Sequence, residues 1–474
     1  MARRNNLYAN VDWLTIFIWL LLVIFGWMNI YSANYMSGDG TIFDFSQRYG
    51  KQMIWIGVAI LLIIIVFILD AKFFPFFAYP LYALILLILV AVFLFGKEIN
   101  GARSWFVLGS FQFQPAEFAK PFTALALARL LSSHGFSLKG PKSLLLAGVI
   151  IFSPALLIML QPDLGSTMIY FAFLFVLYRE GFSQNTMILG AALVVLFILT
   201  LLIDNSIVIL SIWLVSMILF RINLDWKQTI QGYLVPALIL ITLMYGLNYV
   251  LKLNLSIYRI AFITVILLSI IYLIQAVRTR KKELYKILVG MVIAVLFVVS
   301  VDYAMNNILK EHQQQRIYVT LGLEDDPQGV GYNVNQSKIA IGSGGFSGKG
   351  FLNGTQTKLQ FVPEQSTDFI FCTVGEEWGF LGTTLVVLLF VFLIIRLILL
   401  SERQRSHFSR IYGYGLTSVL MMHFIVNIGM TIGIFPVIGI PLPFFSYGGS
   451  SMLAFTLFLF IFLKLDSNRL ELLR

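Results

Sequence analysis

YNVNQSKIAIGSGGFSGKGFLNGTQTKLQFVPEQSTDFIFCTVGEEWG, residues 332–379, is the one long polar interval in a chain otherwise made of apolar runs. It is dense in glycine and amide residues, and one carboxylate, Asp368, stands where it gives way to a new hydrophobic helix. Ionisable groups and irregular backbone are costly in lipid, so a membrane protein that gathers them in one interval places its binding or active site there. The rest of the sequence reads as scaffold.

Outward from this stretch, the 474 residues are 59% hydrophobic and only 12% charged, against roughly 25% charged in an average soluble domain. Runs of about twenty apolar residues recur from end to end, the length a helix needs to cross hydrocarbon. The fold class expected is an all-α polytopic membrane protein, a helix bundle of about fourteen transmembrane helices. One large extracytoplasmic loop is expected at 309–367.

The lone cysteine, Cys372, excludes an intramolecular disulfide framework. The start, MARRNN before a long apolar run, reads as a first span with its basic end in the cytoplasm; the run is too long for a signal peptide and no small-residue cleavage site follows. A net charge of +10 invites a nucleic-acid partner, but most lysines and arginines lie in short connections at alternate helix ends, from Arg3 and Arg4 through Arg179 and Arg403 to Arg469. That is the positive-inside bias, and it calls for no nucleic acid. It places both termini inside and four polar segments on the outer face: 100–114, GlnProAsp at 161–163, the insert, and 436–449. Cations on that face, Arg103, Lys120, Arg316, Lys338, Lys349 and Lys358, go against the bias, and anion binding is the simplest reason for them.

GSGGFSGKG (342–350) fails as a phosphate loop, because Ser343 and Gly350 stand where that motif needs glycine and Ser or Thr. Its amides, those of Gly344 and Gly345 included, could still cradle a pyrophosphate beside Lys338 and Lys349, or form only a turn at the membrane surface. Asp368 is expected in the first turn of a helix capped by Ser366 or Thr367, either as a general base with a raised pKa or as an acid answering the helix dipole. Glu117 and Lys120, three apart on one helix face, can pair. Arg103 and Trp105 suit a phosphate and a sugar face, or an interfacial anchor; Asp163 reads as a helix cap or a site carboxylate. GIPLPFFSYGGSS (439–451), which contains Ser446, breaks an apolar run where irregular backbone must be buried or line a polar cavity. The four histidines, His134, His312, His407 and His423, are scattered and form no zinc pattern, and no nucleophile elbow surrounds Ser446.

The stretches GARSW (101–105), FQPAEFAK (113–120), QPDLG (161–165), QSKIAIGSGG (336–345), NGTQ (353–356), FVPEQSTDFIF (361–371), GEEWG (375–379) and PLPFFSYGGSS (441–451) together resemble the SEDS family of bacterial cell-wall polymerases, the FtsW/RodA/SpoVE group. NGTQ ahead of the ProGlu…ThrAsp element is more similar to the RodA type, the elongation branch, than to the septal one.

The resemblance implies a peptidoglycan glycosyltransferase of the inner membrane, active in cell elongation and shape maintenance, that polymerises lipid II. The acid matching Asp368 would be catalytic. Substrate binding would fall to Arg103, Trp105, Glu117, Lys120, Lys338, Gly344, Gly345, Gln356 and Ser446. The partner implied is a class B penicillin-binding protein, alongside membrane lipids. A divalent cation (Mg or Mn) at the pyrophosphate stays open, because no ligand cluster is readable. Residues 181–284 look inserted between core segments 1–180 and 285–474, since they match no motif of the family. The alternatives are a lipid II flippase, a septal polymerase or a scaffold that only recruits the penicillin-binding protein.

Overall fold

Apolar runs form helices here because a lipid-spanning backbone must satisfy its own hydrogen bonds. The structure, a computed structural model, describes residues 10–35, 42–99, 102–109, 111–224, 229–252, 256–309, 311, 314–315, 318, 323 and 331–469. Arg3, Arg4, Gly101, Lys227, His312, Arg316 and Arg474 lie outside them. Among the described residues, 12 helices are long and apolar enough to cross a membrane. They make the chain an all-α multi-pass membrane protein.

The chain divides into two compact units, 1–182 with 326–474, and 183–325. In the first, α1 (Trp13–Asn34), α2 (Arg48–Ile68) and α3 (Phe73–Phe95) lead to three short strands, β1 (Lys97–Ile99), β2 (Ala102–Leu108) and β3 (Phe111–Phe113). The segment 100–114, expected as a polar turn, is thus mostly an antiparallel β1-β2-β3 sheet, with Phe106 opposite Phe113 and Lys97 opposite Trp105. Its alternation is legible afterwards: Ser104 is buried between the exposed Arg103 and the half-buried Trp105.

Next come α4 (Pro115–Leu131), with Pro115 in its first turn, α5 (Pro141–Leu160), α6 (Leu164–Ile169) and α7 (Phe173–Arg179). After the second unit follow α13 (Tyr332–Ser343), α14 (Thr355–Lys358), α15 (Ile370–Glu402), α16 (His407–Thr431) and α17 (Gly449–Ser467). Part of the expected outer loop is therefore helical.

The most apolar part of α17 is 83% buried and that of α16 72% buried, so these two form the centre, with α4 packed against both. Outer helices such as α2 are only 17% buried there and turn Ile, Leu and Phe outward, as lipid requires. At one end of this unit Arg179 pairs with Glu402, Arg410 with Glu180, Arg403 with Asp466 and Arg396 with Asp12. The opposite end carries the sheet, α13, α14 and residues 432–448.

The second unit holds α8 (Gln184–Leu202), α9 (Asn205–Asn223), α10 (Val235–Val250), α11 (Ile257–Thr279) and α12 (Lys282–Asn307). Helix α12, placed with the C-terminal core on sequence, packs here against α8, α9 and α11. The unit has its own core: Phe220 stacks on Tyr233 at 4.4 Å, and Tyr272 accepts from Trp213 Nε1 and donates to the Tyr233 carbonyl.

Candidate active site

Helix α15 contains the backbone irregularity that shapes the polar end. It is broken at Gly379 (φ 62°, ψ −155°), a conformation that side chains with a Cβ disfavour. The break would orphan backbone groups in an apolar bundle, and the glycine run supplies partners for them. Lys349 and Gly350 amides donate to the carbonyls of Glu376 and Glu377 (3.0 Å each), while Phe380 and Leu381 amides donate to the carbonyls of Gly345 and Phe346 (2.9 and 3.2 Å). Gly344 lies so close that a Cβ there would fall 1.9 Å from the Gly375 oxygen. The amides of Gly344 and Gly345 themselves turn back to the carbonyls of Ile341 and Gly342. The amides of Gly344, Gly345, Gly348, Lys349 and Gly350 are thus spent within the protein. This corrects the expectation of a pyrophosphate cradle at Gly344 and Gly345: the run is a splice for a broken helix.

Gln356 belongs to the same construction. The buried Glu376 carboxylate accepts from the amides of Gln356 (2.8 Å) and Thr357 (2.9 Å), from Thr355 Oγ1 (3.2 Å) and from Lys349 Nζ (2.7 Å). The NGTQ turn is therefore a receptor for Glu376, and Lys349 is engaged rather than free. Ser32 of α1 donates to the neighbouring Glu377.

Asp368 precedes α15 by two residues, in a run of turns, and Phe369 occupies the cap position with no side-chain cap bond. The expected capping by Ser366 or Thr367 is corrected: the helix begins at Ile370, so neither residue stands at its cap, and both hydroxyls bond elsewhere. Ser366 Oγ accepts from Arg48 Nη1 at 2.7 Å, and Thr367 Oγ1 donates to the Glu364 carboxylate at 3.0 Å. Asp368 is half-buried. Desolvation pushes its carboxyl up to about 7, and the negative charges of Glu364, Asp163 and Glu117 add to the effect. Its carboxylate faces the 436–441 loop, where a Cβ at Gly439 would lie 3.4 Å from Oδ2. Its backbone carbonyl accepts from Asn427 Nδ2 at 2.8 Å.

Lys120 and Glu117 do pair, Nζ to Oε1 at 2.7 Å, and both are almost fully buried, at 1% and 3% exposure. His423 Nε2 lies 3.0 Å from the same ammonium. Phe455 contacts both, its ring 4.8 Å from the imidazole in a T-shaped arrangement and 5.4 Å from Nζ. The three central helices α4, α16 and α17 thus meet at one buried cation. Asp163 caps α6, accepting from the Ser166 amide (3.0 Å), and also accepts from Gln114 Nε2 (3.1 Å).

The remaining expected residues sit elsewhere on this end. Lys338 is exposed on α13 and lies over Gly433, just past the end of α16, where carbonyls favour a cation. Ser446 closes its own turn by accepting from the Leu442 amide at 2.8 Å. Arg103 and Trp105 lie on β2. Sequence reasoning missed His423, Asn427 and Arg48, the last of which lies at the start of α2 with its guanidinium 5.8 Å from the Tyr447 ring. Among the described residues, no group of three or more His, Cys, Asp or Glu is placed to hold a metal ion.

A family model for FtsW, RodA and SpoVE, described as cell cycle protein, matches residues 12–223 and 206–471. The chain belongs to the FtsW/RodA/SpoVE family. Within it, the chain is 32% identical over 452 residues to the peptidoglycan glycosyltransferase RodA of Treponema pallidum (strain Nichols), covering 94% of each. It is 32% identical over 374 residues to the peptidoglycan glycosyltransferase MrdB of Escherichia coli (strain K12), covering 79% of this chain and 73% of that one. The fold is shared with Thermus thermophilus RodA (TM-score 0.55, 24% identity, 97% of this chain and 98% of that one). It is also shared with a chain from a peptidoglycan synthase complex that coordinates polymerization and crosslinking (TM-score 0.64, 23% identity, 97% and 98%).

Proposed function

We propose that this chain is a peptidoglycan glycosyltransferase that polymerises lipid II in cell elongation, with Asp368 as its general base. The observation that carries the reading is a proton-seeking carboxylate at the polar end of a membrane bundle, linked through one helix to a buried ammonium. Family membership and relatives named as peptidoglycan glycosyltransferases support the substrate class.

In this mechanism Asp368 accepts the proton of the 4-hydroxyl of the acceptor N-acetylglucosamine. That oxygen forms its bond to the anomeric carbon of the donor muramyl sugar from the face opposite the leaving group. The carbon–oxygen bond to the pyrophosphate breaks, its electron pair leaves with undecaprenyl pyrophosphate, and the anomeric centre inverts. Lys120, oriented by Glu117, stabilises the charge that develops on the departing group. Lys338, Arg103 and Arg48 offer further cations on the approach, and Trp105 a face for a sugar ring. Gly344, Gly345, Gln356 and Ser446 serve the site by holding its walls.

The basic end, with Arg179, Arg403 and Arg410, faces the cytoplasm by the positive-inside rule, which puts Asp368 on the outer face of the inner membrane. The partner is a class B penicillin-binding protein, a choice supported by the similar chain found in a synthase complex. The test is incubation of detergent-purified protein with lipid II. Glycan strands and released undecaprenyl pyrophosphate are expected; transfer of lipid II across proteoliposomes without polymer would point instead to a flippase.

A further inference from the structure

One turn of α16 connects the two halves of the site. His423 and Asn427 are four apart, so they project from the same helix face. Asn427 Nδ2 donates to the carbonyls of Asp368 (2.8 Å) and Ile440 (2.7 Å), which commits both of its amide hydrogens. His423 Nδ1 lies 3.1 Å from the Pro441 carbonyl, and its Nε2 lies 3.0 Å from Lys120 Nζ. A carbonyl only accepts and an ammonium only donates. The imidazole therefore carries its hydrogen on Nδ1 and receives the lysine on the Nε2 lone pair.

The two side chains grip consecutive carbonyls of one loop, and the residue before that pair, Gly439, is the one facing Asp368 Oδ2. Both are buried, His423 at 1% exposure and Asn427 at 0%. From Asp368 through Asn427, the Ile440–Pro441 peptide and His423 to Lys120, each link is a hydrogen bond or a covalent bond.

We propose that His423 and Asn427 are positioning residues that fix Lys120 and Asp368 at a set separation across the reacting carbon. The proposal rests on the roles given above to Asp368 and Lys120. An inverting displacement needs the base on the incoming hydroxyl and the cation on the outgoing pyrophosphate, on opposite sides of the anomeric centre. A displacement of about 1 Å in such an arrangement can cost about a hundredfold in rate. A single helical turn that holds both groups keeps that separation constant while the substrates exchange. His423 governs the cation and Asn427 the base.

The test uses the full chain in detergent, with lipid II polymerisation rates, binding of undecaprenyl pyrophosphate and thermal unfolding measured on each variant. His423→Phe keeps the ring and its contact with Phe455 but supplies no lone pair. It should lower kcat by roughly 10- to 100-fold and weaken undecaprenyl pyrophosphate binding by about tenfold. His423→Gln, which retains an acceptor and a donor, should restore both to within about threefold of wild type. In a Lys120→Met background His423→Phe should add no further loss, because coupled residues are not additive. Asn427→Leu should lower kcat while leaving undecaprenyl pyrophosphate affinity unchanged, and its effect should persist in the Lys120→Met background.

Wild-type rate and affinity in His423→Phe would overturn the proposal. So would an undiminished His423→Phe effect without Lys120, or equal losses in His423→Gln and His423→Phe that track a lowered unfolding temperature. If the wild-type chain neither polymerised lipid II nor bound undecaprenyl pyrophosphate, the functional reading itself would fall, a result distinct from failure of the positioning role alone.

Discussion

Raising the pH from 6 to 8 should switch this site on. The perturbation is the protonation of Asp368, whose carboxyl is pushed up to about 7 chiefly by desolvation, with Glu364 the largest charged contributor. A group titrating near 7 is about 9% ionised at pH 6 and about 91% at pH 8, so kcat/KM for lipid II should rise roughly tenfold across that interval. The quantity kcat/KM is the one to follow, because it reports the free enzyme. Glu364→Gln removes the negative charge that contributes most to the shift and should move the rising limb to lower pH, since the Asp368 anion then meets less negative potential. The same shift has a stability counterpart. The folded value lies above the ordinary aspartate value of 3.8, so the native state binds the proton more tightly than the unfolded one. The stabilisation is complete below about pH 4 and is lost as pH rises through about 7. In Asp368→Asn, that fall in unfolding temperature should vanish. A pH profile flat between 6 and 8, a falling one, or an alkaline shift in Glu364→Gln would refute the reasoning.

Glu376→Ala should strand the amides of Gln356 and Thr357 and cost about 3–5 kcal/mol, read as a lower unfolding temperature, with Glu376→Gln milder because one acceptor remains. Gly344→Ala should destabilise strongly, since its Cβ would sit 1.9 Å from the Gly375 backbone oxygen, which no flexible side chain can relieve. Lys120→Met leaves Glu117 buried without its cation, a loss of about 3–5 kcal/mol. Adding Glu117→Gln should recover much of the stability but none of the polymerisation.

The bundle was legible because crossing lipid leaves a signal in every span: length, apolarity and alternating basic ends. Glu117 and Lys120 were legible for a related reason, as helix spacing alone puts them on one face. What escaped were pairings set by tertiary approach. GEEWG and NGTQ each stood out, yet nothing local says that Glu376 docks on the Gln356 and Thr357 amides some twenty residues earlier. His423 looked stray because its partners, Lys120 and Pro441, lie 303 and 18 positions away. The glycine run misled because its composition suits an anion nest, whereas its amides answer the break at Gly379, a feature invisible without backbone angles. The small sheet was hidden by brevity: two of its three strands have three residues each, which carry almost no periodic signal.

The most direct test of the central claim is the single-turnover rate of lipid II coupling by Asp368→Asn, measured beside lipid II binding and unfolding temperature. Asparagine matches the carboxylate in shape but cannot take a proton. The account predicts wild-type folding and near-wild-type binding, with coupling reduced at least about a thousandfold at pH 8. Coupling within a few-fold of wild type would contradict it.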